Sequence, residues 1–137
     1  MLAFSHTFSS VVHPNDIVVI GVSGGVDSMV LLDLVHKFHP VENIVVAHFD
    51  HALRWAESDG DRDFVVNFCK NNDIQCESTK VDIAGITKEK KASLEAIARQ
   101  ERYNFLERIR AQYNGKYILT AHHADDQMET IILNMIK

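Results

Sequence analysis

The chain has 137 residues, 46% hydrophobic and 24% charged, with a formal net charge of −5. That length supports one core and not two, and the negative balance excludes a broad, non-specific nucleic-acid surface, which needs clustered positive charge. Cys69 and Cys76, the only cysteines, form no metal or redox motif at their spacing and no disulfide framework, so reduced thiols in a cytoplasm are expected.

The opening "MLAFSHTFSSVVHPND" has no positive start and no long apolar core, so it does not read as a secretory signal. No stretch approaches the ~20 apolar residues that cross a bilayer, and no membrane partner is expected. Residues 17–22 are an apolar, β-branched run, the pattern of a strand covered on both faces. The period then changes. Leu31, Leu34, Val35 and Phe38 fall on one helical face within 28–38, and His39-Pro40 ends the helix. "IVVAHF" at 44–49 reads as a second buried strand. Residues 57–71 form a charged helix with a stripe of Phe64, Val65, Phe68 and Cys69. "IQCESTKV" at 74–81 is a weaker, polar strand, suited to a sheet edge. A long helix over 93–112 turns Leu94, Ile97, Ala98, Phe105 and Ile109 inward. A fourth strand covers 117–121. From Asp125 onward a fourth helix is expected, with Met128, Ile131, Ile132 and Met135 on its stripe.

Strand and helix alternate four times, which implies right-handed βαβ units and a parallel sheet with helices on both faces. With the polar third strand at an edge and the first strand central, the expected order is 3-2-1-4. Ligands in such sheets bind beyond the carboxyl ends of the strands, where the winding reverses. Three polar segments stand there: "SGGVDS", "HFDHALR" and "AHHADDQMET".

"SGGVDS" follows a strand and opens a helix, the context in which a glycine loop holds phosphate on backbone N–H groups. Ser23, Gly24, Gly25, Val26, Asp27 and Ser28 are therefore candidate nucleotide-binding residues. A tight turn with Ser23 or Asp27 as helix cap would need only one such residue. The loop lacks the Gly-Lys-Ser/Thr ending of a Walker A motif. A carboxylate beside phosphates makes sense if Mg²⁺ lies between them, so Asp27 is the candidate metal ligand.

On the long helix Glu95, Arg99 and Arg102 share one face, and two arginines beside one acid leave positive charge for a phosphate. Asp126 and Glu129 have the spacing of a capping box. That leaves His122, His123 and Asp125 unexplained, and no cysteine completes a zinc site.

"SGGVDS" resembles the pyrophosphate loop of the N-type ATP pyrophosphatases (PP-loop proteins), Rossmann-like α/β sandwiches that cleave ATP between the α- and β-phosphates to adenylate a substrate. Together "AHFDHALRWAES", "SLEAIARQERY" and "TAHHADDQMET" resemble the tRNA(Ile)-lysidine synthetases across essentially the whole chain. The resemblance implies ATP and Mg²⁺ as cofactors, and tRNA(Ile) and L-lysine as substrates. The wobble cytidine would be adenylated, and lysine would then displace AMP, which makes the enzyme a C–N ligase. Main-chain groups of Ala47, His48 and Phe49 would read adenine. Asp50, His51, Arg54, Glu95 and Arg102 would meet substrate, and Asp27, Arg99, His122, His123 and Asp126 would serve catalysis. A related tRNA thiolase shares part of the His-rich stretch but uses paired CxxC motifs. A thiolase-like adenylating enzyme and a non-catalytic ATP-binding module are the alternatives. Family members continue past the position of Lys137, so residues 1–137 are expected to be one PP-loop domain truncated at its C-terminus. The assignment admits a homodimer.

Overall fold

The structure is a computed structural model, describing residues 2–52, 59–86, 91–123 and 131–136. Helix α1 (Leu2–Val11) leads into strand β1 (Val18–Gly21), helix α2 (Val26–Phe38), strand β2 (Ile44–Asp50), helix α3 (Asp59–Asn71) and strand β3 (Gln75–Lys80). A single turn, α4 (Ile83–Ile86), precedes the long helix α5 (Lys91–Gln112), strand β4 (Tyr117–His123) and strand β5 (Ile131–Ile136). The sheet order is β3-β2-β1-β4-β5. Strands β1 to β4 are mutually parallel in the expected 3-2-1-4 order, and β5 adds to β4 in antiparallel sense.

Alternation along the strands divides the core into two layers. Val18, Ile20 and Val22 of β1 and its exit, with Ile44 and Val46 of β2 and Leu119 of β4, pack against Phe8 and Val12 from the α1 side, Leu31, Leu32 and Val35 of α2, and Val65 and Cys69 of α3. Val19, Val45, Ala47, Phe49 and Ile118 point the other way, onto Ile83 of α4 and Leu94, Ala98, Phe105, Leu106 and Ile109 of α5. The result is the three-layer sandwich expected from the alternating pattern. Strand β3 is polar and half-exposed throughout, as an edge position permits.

One element is added and two local readings are corrected. Residues 2–11 are helical, although no helix is visible in their sequence; burial of Phe8 against the sheet, at 1% exposure, holds that segment down. Phe64 lies outside the apolar stripe, since it is 55% exposed on α3 while Val65 and Cys69 are buried. The expected helix from Asp125 onward is replaced over 131–136 by β5, whose backbone pairs from Ile118↔Ile136 to His123↔Ile131. A short β-branched apolar run satisfies either period, and the outer edge of β4 supplies backbone partners that a helix would leave unpaired. The remainder of that predicted helix lies outside the described residues.

Among the described residues no helix is long and apolar enough to cross a membrane.

Candidate nucleotide site

The winding of the sheet reverses at β1, with β2 on one side and β4 on the other. A partly open cleft lies at this point. Its walls include Ser23 and Ser28 from the loop, Ala47 and Phe49 from β2, Thr120 from β4, and Arg102 and Leu106 from α5. Gly21 forms the floor. A methyl group there would sit 3.2 Å from both Leu106 Cδ1 and the Thr120 methyl, so the absent side chain keeps the cleft open.

The glycine loop is organised by its two serines. The Ser28 hydroxyl accepts the Ser23 N–H at 3.1 Å, lies 3.1 Å from the Ser23 hydroxyl, and donates to the Gly25 carbonyl at 3.1 Å. The Ser23 hydroxyl also accepts the Gly25 N–H at 3.2 Å. Gly24 takes φ +92°, a conformation that side-chain-bearing residues rarely adopt, and its Cα faces α3 so closely that a methyl group would lie 2.9 Å from Asp61 Cβ. The N-cap of α2 is Gly25. Neither Ser23 nor Asp27 is the cap, and the first turn presents its backbone N–H groups without a capping side chain. Asp27 occupies that first turn, while Val26 beside it is 77% exposed.

On β2, Ala47 and Phe49 face the cleft, and Phe49 packs on Phe105 with ring centroids 5.9 Å apart. His48 alternates to the opposite face and is fully buried; its Nδ1–H donates to the Val22 carbonyl at 2.8 Å. A carbonyl only accepts, which places the proton on Nδ1 and ties the exit of β1 to β2 immediately before the loop. Asp50 is also buried, with Oδ1 accepting the Ala52 N–H at 2.8 Å and shaping the turn where Ala52 takes φ +57°. His51 is half-buried beside Phe49.

On α5, Arg102 reaches the cleft wall, whereas Glu95 and Arg99 are exposed. His122 and His123 end β4, on the same rim. Arg54, Asp125 and Asp126 lie outside the described residues. Among the described residues no three histidine, cysteine or acidic side chains gather as a metal cluster. Cys69 and Cys76 are both free thiols; the contact with Cys76, together with burial, pushes the Cys69 thiol upward and keeps it protonated.

Thr120 went unnoticed in the sequence because "YILTAHH" reads as strand. It is 3% exposed, and its hydroxyl has no hydrogen-bond partner among the described residues. The same holds for Arg102 Nε. Thr120 and Arg102 thus each bring to the cleft a buried polar atom with no partner among the described residues, a condition that costs about 1–3 kcal/mol where it is left unmet.

The tie made by His48 gives a direct prediction. His48→Leu strands the buried Val22 carbonyl and is expected to destabilise the fold by about 1–3 kcal/mol. His48→Asn keeps a donor near the Nδ1 position and should recover most of that loss. Equal unfolding midpoints for the leucine and asparagine variants would contradict the tie.

A doubly covered parallel sheet with a glycine-loop cleft at its winding reversal defines a nucleotide-binding α/β protein. The PP-loop domain family matches residues 3–137, and the chain belongs to it. It is 36% identical over 130 residues to the tRNA(Ile)-lysidine synthase of Clostridium tetani, covering 93% of this chain and 28% of that protein. It is 39% identical over 121 residues to the tRNA(Ile)-lysidine synthase of Bacillus subtilis, covering 88% and 26%. The chain thus spans about a quarter of the length of these relatives. Among solved structures, the U34-tRNA thiolase NcsA from Methanococcus maripaludis superposes with a TM-score of 0.65 at 20% identity, over 91% of this chain and 46% of that one. The NH3-dependent NAD synthetase from Campylobacter jejuni gives 0.61 at 15%, over 85% and 50%. These two likenesses show the shared fold.

Proposed function

We propose that this chain is the ATP-binding, adenylating part of a tRNA(Ile)-lysidine synthetase. The observation that carries the reading is the identity to lysidine synthases over most of the chain, in a protein whose cleft holds a glycine loop. The loop N–H groups from Ser23 to Ser28, with Val26 between them, bind the pyrophosphate end of ATP at the positive end of α2. Asp27 is the residue that would hold Mg²⁺, and that ion would supply neutralising charge beside the phosphates. Ala47 and Phe49 wall the base. His48 positions the loop through Val22.

In the first step the cytosine carbonyl oxygen bonds to the α-phosphorus as the bond to pyrophosphate breaks. In the second, the lysine ε-amine bonds to the activated carbon, loses a proton, and AMP departs. Arg102 and Arg99 oppose the negative charge that develops. His122, His123 and Asp126 are assigned to the base and to the proton taken from the amine. Asp50, His51, Arg54 and Glu95 are assigned to the substrate side of the rim. The corresponding partners are tRNA(Ile) and L-lysine.

The test is incorporation of labelled lysine into tRNA(Ile) by the full-length protein, which should require ATP and release AMP and pyrophosphate in equal amounts. Incorporation without ATP would overturn the reading.

A further inference from the structure

Thr120 and Arg102 approach the cleft from different elements, and their polar atoms have the same unmet need. Thr120 lies on β4 one residue past the last β1–β4 register pair, Ile20↔Leu119, so it sits beside Gly21 at the opening of the sheet. Its methyl packs where a Gly21 side chain would stand, and its buried hydroxyl has no partner among the described residues. Arg102 lies one turn before Leu106 on the same wall, its Nε buried and without a partner among the described residues and its Cζ 5.5 Å from the Tyr103 ring. The guanidinium can only donate, and the hydroxyl can donate beside it. Two donors brought to one cleft by different elements, one of them cationic, suit an anionic oxygen. Ala47 and Phe49, assigned above to the base, lie across β1 from Thr120, and the loop assigned above to pyrophosphate follows β1. On that assignment the anionic group between the base and the pyrophosphate is the α-phosphate.

We infer that Thr120 Oγ1 and Arg102 Nε–H together clasp an α-phosphate oxygen, the part of the nucleotide retained as AMP once pyrophosphate has left. This rests on the nucleotide reading above. Thr120 is thus a positioning residue for the attacked phosphorus, and its hydroxyl is kept in the fold at some cost to stability.

The experiment is calorimetric titration of the chain and its Thr120→Val and Thr120→Ser variants with AMP, adenosine and pyrophosphate, together with unfolding midpoints measured without ligand. Valine preserves the shape of threonine and removes the unsatisfied hydroxyl, so the ligand-free midpoint should stay level or rise. AMP should bind about tenfold more weakly to Thr120→Val, while adenosine and pyrophosphate change less than twofold. Thr120→Ser should bind AMP as the parent chain does. Unchanged AMP affinity in the valine variant, an equal loss for adenosine, or a serine variant as weak as valine would each overturn the clasp. A parent chain that binds neither AMP nor pyrophosphate would overturn the nucleotide reading itself, and the clasp with it.

Discussion

Replacing Gly24 by alanine is expected to cost the chain at least tenfold in ATP affinity and to lower its unfolding midpoint. Two effects act together. The backbone at φ +92° is strained for any residue with a Cβ, at a cost of order 1–3 kcal/mol. The new methyl would also press on Asp61 Cβ at 2.9 Å, with the Asp61 carbonyl 3.2 Å away. Backbone on α3 cannot rotate aside as a flexible side chain does, so the loop must move, and with it the N–H groups proposed to bind phosphate. Gly25→Ala is the control. Gly25 has φ −71°, and its added methyl would meet only the Ser23 hydroxyl at 3.3 Å. Its effect on binding should be several-fold smaller. If the two alanine variants bind ATP alike, the contact between α3 and the loop does not shape the cradle.

Asp27→Asn should separate metal from phosphate. The substitution is nearly isosteric and leaves the first turn of α2 in place, while removing the charge that would hold Mg²⁺. Binding of ATP in the presence of Mg²⁺ should weaken by more than about tenfold, equivalent to 1.4 kcal/mol or more. Binding of AMP in EDTA should change by less than twofold, since a carboxylate near a bare phosphate only repels it. Calorimetry under the two conditions gives the comparison. Equal losses would mean that Asp27 supports the loop itself and does not hold the ion.

The parallel sheet was legible because its strands are continuous apolar runs between helices of clear 3.6-residue period. The polar character of residues 75–80 marked the edge, where the structure has β3. Where tertiary contacts decide, the pattern was silent or misleading. Ser, Thr and His dilute the periodicity of residues 2–11, and the helix is held through Phe8. Residues 131–136 fit a helix period and a strand equally well until a neighbouring edge is known. The site divides in the same way. The loop, Ala47, Phe49 and Arg102 could be placed from motif and strand position. His48 stood out as a polar residue on the rim, but only strand alternation shows that it faces away from the cleft and grips Val22. Thr120 looks like an ordinary strand residue, and what sets it apart is a buried hydroxyl with no partner among the described residues.

The β1–β4 seam, paired from Val18↔Tyr117 to Ile20↔Leu119, joins segments roughly a hundred residues apart in the chain. Closing so long a loop is slow and occurs only after most of the intervening chain has emerged and collapsed. Gly21 and Thr120 meet across this seam, so the cleft is complete only when β1 and β4 are paired. A nascent or partly unfolded chain has the glycine loop but only half the pocket. The nucleotide capture proposed above would therefore report completed folding, and saturating ATP should slow unfolding by holding that seam shut.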